Sequence, residues 1–233
     1  WGWLGSGGAH PGLAGSFRIG VISQYERNPL VLLDSSTETA RVLHHRVTHT
    51  VGGFYVPVDG FGFGLSIPIT GQITDWSAQD LPPVGLGDLK ADVIWRFWGF
   101  KTISLALSAE AYIPTSTRGS FTGERLPRLA PGFAAQAGLG PVTFLVAGEA
   151  MFRRKIHTGY DFDLGTELRL SLGVRAWPVP GKVLAQLELE SRGAVARFLK
   201  GGAENPVDLR LGTRIYLGKY LQLDLGGGVG LNG

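Results

Sequence analysis

The feature that most constrains this chain is a strict two-residue alternation in the segment 61–70. Apolar side chains occupy every second position of it, namely Phe61, Phe63, Leu65, Ile67 and Ile69. The positions between them hold glycine, serine, proline and threonine. Because successive side chains of a β-strand point to opposite faces, this segment predicts a strand with one apolar face and one face of small residues.

The same alternation returns along the rest of the chain, in segments of about ten residues. The eleven apolar stripes begin at Phe17, Leu43, Phe61, Leu89, Ile103, Leu129, Val142, Leu164, Val183, Val207 and Leu221. The opposite faces carry Gly, Ser and Thr with charges of both signs, which suits a confined interior better than the lysine-rich exterior of a soluble barrel. The pattern therefore predicts an all-β fold, an antiparallel up-and-down transmembrane β-barrel.

The strand count leaves one question open. Bacterial barrels of one chain have even strand numbers, so eleven readable strands predict a barrel of twelve. The twelfth strand either lies beyond residue 233 or is supplied by the glycine-rich segment 1–14, and the first alternative is favoured because that segment has little apolar support. We expect residues 1–14 to form a periplasmic N-terminal segment and residues 15–233 to form the outer-membrane barrel.

The connections between stripes alternate in length. Short ones contain Gly99, Gly140–Pro141, Pro178–Gly181 and Gly218–Lys219. Longer ones lie near 27–38, 71–85, 115–127, 154–161 and 193–205. Outer-membrane barrels have short periplasmic turns and long extracellular loops, so this alternation predicts a bacterial outer-membrane protein with a periplasmic N-terminus.

Aromatic residues cluster near both ends of the stripes, as two membrane interfaces would require. The predicted aromatic girdle comprises Tyr25, Tyr55, Trp76, Phe97, Trp98, Phe100, Trp177, Tyr216 and Tyr220.

Composition narrows the classes of protein further. Charged residues make up 18%, and the sequence holds no run of about 18 apolar residues that would form a membrane helix. There is no cysteine, so no disulfide framework is expected. The net charge of +3 is spread along the chain, which argues against nucleic acid as a partner. No signal peptide is visible, and an exported barrel needs one, so we take this as a mature or trimmed chain.

The charged residues opposite the apolar stripes form a predicted lumen charge network. Its members are Lys90, Asp92, Arg96, Glu110, Glu149, Glu167, Arg169, Arg175, Glu188, Glu190, Asp208, Arg210 and Arg214. Opposite charges on adjacent strands are within pairing reach. Two interpretations stay open: a network that fills and stiffens the lumen, and a lining that sets the selectivity of a narrow pore.

Candidate catalytic and metal-binding residues are weak in this sequence. His45 and His49 share a strand face but are two pleats apart, about 13 Å, which is too far for one metal ion. His44 points to the other face. The residues nearest to a hydrolase site are His157, Tyr160, Asp161 and Asp163, all in one long connection. Because loops are polar for reasons of solvation alone, the sequence predicts no enzyme, no metal and no cofactor.

Several short motifs resemble a known family. They are Asn28-Pro29-Leu30-Val31-Leu32, Gly85-Leu86-Gly87-Asp88-Leu89 and Ile113-Pro114-Thr115 followed by Phe121 and Gly123-Glu124. Their order is similar to the N-terminal barrel of large OmpA-like outer-membrane proteins from myxobacteria and their relatives. In that family a periplasmic domain that grips peptidoglycan follows the barrel. Residues 1–233 do not include that domain, so the resemblance does not carry its anchoring function over to this chain.

Two functions of different classes remain. The first is a structural barrel, the membrane anchor of an OmpA-like cell-envelope protein, with a lumen largely plugged by charged side chains. The second is a small passive diffusion channel, and an outer-membrane hydrolase is a remote third. The expected partners are outer-membrane lipid, lipopolysaccharide and possible envelope proteins.

Overall fold

A computed structural model describes residues 9, 11–34, 37–73, 83–117, 123, 126–154, 156–158, 162–195, 206–218 and 221–231. For 27–34, 37–44, 156–158 and 162–164 it describes the backbone alone. Fourteen β-strands lie in this part of the chain. They are β1 (Phe17–Asp34), β2 (Thr37–Val58), β3 (Phe61–Ile73), β4 (Val84–Leu86), β5 (Leu89–Phe100), β6 (Ile103–Ile113), β7 (Arg128–Leu139), β8 (Val142–Met151), β9 (Ile156–Thr158), β10 (Phe162–Leu164), β11 (Glu167–Val179), β12 (Val183–Ala194), β13 (Val207–Tyr216) and β14 (Gln222–Gly230).

Twelve of these strands form one antiparallel sheet in which neighbours in space are neighbours along the chain. Eleven follow the path β1-β2-β3-β5-β6-β7-β8-β11-β12-β13-β14, and β4 pairs with β3 alongside β5. The strands β9 and β10 form a separate small hairpin. The predicted fold class, all-β with antiparallel up-and-down strands, is confirmed.

The two faces of the sheet differ as the alternation predicts. Apolar side chains near mid-strand, among them Leu65, Leu107, Leu170 and Leu172, are exposed on the outer face. The side chains between them point inward, where Ser171 and Glu190 are buried. An exposed apolar face and a buried polar face are the inverse of a soluble barrel, and they match a sheet whose exterior contacts hydrocarbon.

The glycines of the most regular segment make room for an aromatic ring. Phe54 on β2 points inward and is buried, and its ring lies over Gly62 and Gly64 on β3. A Cβ atom at either glycine would lie under 3.0 Å from that ring. Small residues on the inner face of β3 are therefore required by the packing of Phe54 from β2.

The connection near 27–38 differs from its prediction as a long loop. β1 and β2 continue as a paired hairpin to Asp34 and Thr37. The register shifts three times between Arg27 and Leu33, beside Pro29. Proline has no N–H to donate to the backbone ladder, and the register shifts beside it interrupt the two-residue alternation. The sequence therefore does not predict that β1 and β2 continue through this region.

The two ends of the sheet are not paired with each other within the described residues. β4 brings the number of strands to twelve, but it lies against β3, away from β1 and β14. The described part of the N-terminal segment, Ala9 and 11–16, lies on the concave side of the sheet and does not extend along β14. The periplasmic placement of residues 1–14 stays a prediction.

Among the described residues, no helix has the length and apolar character needed to cross a bilayer.

Candidate functional site: the inner face of the sheet

Ion pairs line the inner face along the half nearest the long connections. Lys90 Nζ on β5 lies 3.0 Å from Glu110 Oε1 on β6. Arg169 Nη1 on β11 lies 3.4 Å from Glu149 Oε1 on β8. Each pair joins neighbouring strands, which is the cross-strand arrangement expected for opposite charges on one face of an antiparallel sheet.

Glu190 on β12 is the centre of this arrangement, and only 1% of its side chain is exposed. Arg210 Nη1 donates to its Oε2 at 2.7 Å, and Arg210 Nη2 donates to Oε1 at 3.1 Å. Arg192 Nε lies 3.1 Å and Arg169 Nε 3.7 Å from the same carboxylate. Asp208 on β13 lies 3.3 Å from both Arg192 and Arg210. A buried carboxylate needs such partners, because an isolated ion in a confined interior bears a large desolvation cost.

A second group of charges lies near the short turns. Arg214 on β13 donates from Nε to Asp224 Oδ1 on β14 at 2.6 Å, and from Nη2 to Oδ2 at 3.0 Å. Arg96 on β5 reaches Asp59 in the turn before β3 at 2.7 Å.

Apolar and polar side chains are buried side by side on the rest of the inner face. The polar ones include Gln186 and Glu188 on β12, and the apolar ones include Val56, Leu145 and Leu184, of which Leu184 lies opposite Arg214. Leu145 packs with Ala106, Ala134, Ala147 and Ala9, and we call this cluster the apolar layer.

The N-terminal segment occupies this apolar layer. Ala9 is fully buried against the inner face of β6, β7 and β8. The chain then turns at Gly12 and Gly15, which have positive φ angles of 129° and 75°, before it enters β1. The Gly15 N–H donates to the Val56 carbonyl at 2.7 Å, which fixes the turn to β2. The described residues of this segment, Ala9 and 11–16, therefore lie on the concave side of the sheet.

The structure places the predicted lumen residues as follows. Lys90, Glu110, Glu149, Arg169, Glu190, Asp208 and Arg210 form the paired zone just described, and Arg96 and Arg214 belong to the zone near the short turns. Glu167 pairs with Arg153. Asp92 lies opposite Glu110 in the β5–β6 register. Glu188 is fully buried opposite Arg210, and Arg175 is within electrostatic range of Arg214.

Several partners were missed from the sequence. Arg214 pairs with Asp224 on the last strand and not with the glutamates of β12. Asp88 and Arg128 lie at strand starts, where no periodic signal marks them. The alternation does place Arg153 opposite the apolar stripe of β8, but the predicted network does not include it. The inward phenol of Tyr112 donates to Glu110 Oε2 at 2.6 Å. Its position two residues after Glu110 on one strand face was a usable signal.

The described girdle residues lie near strand ends, except Tyr25, which lies midway along β1 because that strand continues to Asp34. Trp177 stacks on Tyr216 with ring centroids 5.6 Å apart, and Trp98 contacts Phe100. A register shift after Arg96 makes Phe97 an extra residue, so both Phe97 and Trp98 are exposed. Tyr25 and Tyr55 are exposed as well. Trp76 and Tyr220 lie outside the described residues, and the girdle as a membrane boundary stays a prediction.

The histidines contact neighbouring hydroxyls. His45 Nδ1 lies 2.7 Å from the Tyr25 hydroxyl and His49 Nδ1 lies 2.8 Å from the Ser23 hydroxyl. His157 faces Asp163 in the β9–β10 register, while Tyr160 and Asp161 lie outside the described residues. Within the described part of the chain, no group of three or more His, Asp or Glu residues is placed to hold a metal ion.

Comparison with known proteins identifies the fold. No protein-family profile and no curated protein matches this sequence. Among solved structures, the chain is similar to an outer membrane channel from Pseudomonas putida F1, with a TM-score of 0.69 and 14% sequence identity. The match covers 99% of this chain and 93% of that one. At this level of identity the likeness shows a shared fold, that of an outer-membrane β-barrel protein.

Proposed function

We propose that this chain is an integral β-barrel of the bacterial outer membrane with an occluded lumen, and that it anchors an OmpA-like cell-envelope protein in the membrane. The observation that carries the proposal is the division of the sheet into an exposed apolar outer face and an inner face of buried ion pairs. Only a lipid exterior makes that division favourable, because apolar area in water is costly and polar backbone in lipid must be paired.

Occlusion has two structural supports. The paired side chains of β8, β11, β12 and β13 project into the lumen, and Ala9 fills the apolar layer below them. A twelve-stranded barrel is wider than the eight-stranded barrels that side chains fill, so such extra material is needed to close it.

The second candidate is a small passive diffusion channel. It is favoured by the likeness to a protein described as an outer membrane channel, and by the nature of the obstruction. The segment before β1 is held inside the lumen by a few backbone hydrogen bonds and small apolar contacts. Its displacement would leave a pore lined by the ion pairs.

Conductance in planar lipid bilayers separates the two functions. The full chain is compared with a variant that lacks residues 1–14, and both are checked for folding by their resistance to sodium dodecyl sulfate before heating. The anchor role predicts little or no conductance for the full chain, and an increase when the segment is removed. A large and steady conductance of the full chain would contradict the anchor role and establish the channel.

A further inference from the structure

A cleft opens at the rim of the sheet where β6, β7, β8 and β11 meet the long connections. Its volume is about 450 Å³. We call it the rim cleft, and the lining residues that matter here are Tyr112, Ile113, Arg128, Leu129, Phe152 and Arg154. None of them is a partner of Glu190, although Tyr112 donates to Glu110 of the paired zone.

Three arginines line the cleft, namely Arg128, Arg153 and Arg154, and the first two are paired with carboxylates. Arg128 Nη2 lies 2.9 Å from Asp88 Oδ2, and its guanidinium carbon lies 4.4 Å from the centre of the Tyr112 ring. Arg153 pairs with Glu167 and donates from Nε to the Gly165 carbonyl at 2.9 Å. These contacts make the inner wall of the cleft rigid and leave its charge balanced.

The third arginine gives the cleft its excess positive charge. Arg154 is exposed and forms no ion pair with any residue that the structure describes. The sequence continues the cationic run, since positions 153–155 read Arg-Arg-Lys. Among the described residues, three lining arginines stand against the two carboxylates of Asp88 and Glu167, so this part of the cleft carries a net positive charge, which favours an anionic ligand.

The outer wall of the cleft is apolar and faces away from the lumen. Ile113, Leu129 and Phe152 are each about half exposed. Leu129 and Phe152 are bridged by a pair of backbone hydrogen bonds of 3.1 and 2.7 Å, which holds the two side chains on the same outer face. Arg154 follows Phe152 by two residues. A cation directly above an apolar surface at a strand end is the arrangement that suits a lipid headgroup above its acyl chains.

We propose that the rim cleft binds the phosphorylated glucosamine headgroup of lipid A, with a phosphate on Arg154 and an acyl chain along Phe152 and Leu129. Arginine matches phosphate in geometry and forms charge-assisted hydrogen bonds with it. The inference rests on the proposed function, because lipopolysaccharide fills the outer leaflet and the long connections mark the extracellular rim only in an outer-membrane barrel.

Native mass spectrometry of the full chain, folded in detergent and titrated with lipid A, tests the site. Arg154→Ser is compared with Lys182→Ser, which removes the same charge from an exposed short turn at the opposite rim. Arg154→Ser should bind lipid A about tenfold more weakly than the parent does, because it loses one charge-assisted contact. Lys182→Ser should bind as the parent does. Lipid A stripped of its phosphates should bind the parent about tenfold more weakly than intact lipid A does. It should bind Arg154→Ser with the same affinity as the parent.

Three results would overturn the inference while leaving the barrel intact: Arg154→Ser with the affinity of the parent, an equal loss in Lys182→Ser, or phosphatidylglycerol bound as tightly and with the same dependence on Arg154. The last result would assign the site to phospholipid. A full chain that does not fold into lipid vesicles would overturn the proposed function and this inference together, so the two failures are distinguishable.

Discussion

At the scale of single residues, position along the two-residue alternation decides which environment a side chain meets. Leu170 is exposed on the outer face, and the next residue on β11, Ser171, is buried on the inner face. The inner face tolerates charge because carboxylates there have cationic partners, as Glu190 has arginines and Glu110 has Lys90. The outer face offers no such partners, so a charge placed there has only hydrocarbon around it.

Replacing a mid-strand leucine of the outer face by arginine should therefore be costly. We expect Leu107→Arg or Leu170→Arg to lower the free energy of unfolding by about 2–4 kcal/mol, because arginine at the bilayer midplane must leave water. Leu221→Arg, next to a short turn, should cost far less. Unfolding by guanidinium chloride in lipid vesicles measures this, and equal stability of Leu170→Arg and the parent would show that this face does not contact lipid.

At the scale of elements, tight turns and long connections lie at opposite ends of the sheet. The turn of Asp59 and Gly60 and that of Gly181 and Lys182 each use a glycine with positive φ, of 80° and 69°. Glycine adopts this conformation without steric cost, so the strands reverse within a few residues there. Longer segments join most of the other ends, such as the segment between β12 and β13, whereas β1 and β2 stay paired as far as Asp34 and Thr37.

Trypsin accessibility tests the orientation that this asymmetry predicts. Added to intact cells, trypsin should cut after residues of the long connections, such as Arg118, Arg125, Arg197 or Lys200. It should cut after Lys101 or Lys182 in the short turns only when the outer membrane is permeabilised. Mass spectrometry of the peptides identifies the sites, and cleavage after Lys182 in intact cells would invert the topology.

The elements also show how far the sequence alone reaches. The alternation predicts the strands and both faces of β3, β6, β11 and β12, because period two is a local property of the chain. It does not predict that the ring of Phe54 lies on Gly62 and Gly64, or that Asp224 is the partner of Arg214. Those contacts depend on the register between strands and on the curl of the sheet, which no single segment encodes. Ala9 was missed for the same reason, since its burial depends on three distant strands.

At the scale of the whole molecule, the lumen consists of a paired zone, an apolar layer and a second charged zone. Arginines link the strands of the paired zone, since the single carboxylate of Glu190 pairs with three of them. Long side chains that pair across neighbouring strands reduce the space left for water and ions. The occlusion proposed above therefore rests on side chains from several strands, together with the segment before β1.

Shortening the arginines should open the lumen. We expect the triple variant Arg169→Ser, Arg210→Ser and Arg214→Ser to conduct measurably more than the parent in planar bilayers, because the variant removes three long side chains from the interior. The double variant Lys101→Ser and Lys182→Ser, in exposed turns outside the lumen, is the matched control. Unchanged conductance in the triple variant would mean that the arginines do not obstruct the path of ions.

The central claim is that lipid covers the outer face of this sheet while the inner face is enclosed, and spin labelling of β11 tests it most directly. The chain has no cysteine, so single cysteines at each position of 168–174 can be labelled with a nitroxide in lipid vesicles. Collision of the label with oxygen, which concentrates in hydrocarbon, should be high at Leu170 and Leu172 and low at Ser171 and Gly173. Accessibility without a period of two, or with maxima at Ser171 and Gly173, would contradict a membrane-spanning barrel with this face outward.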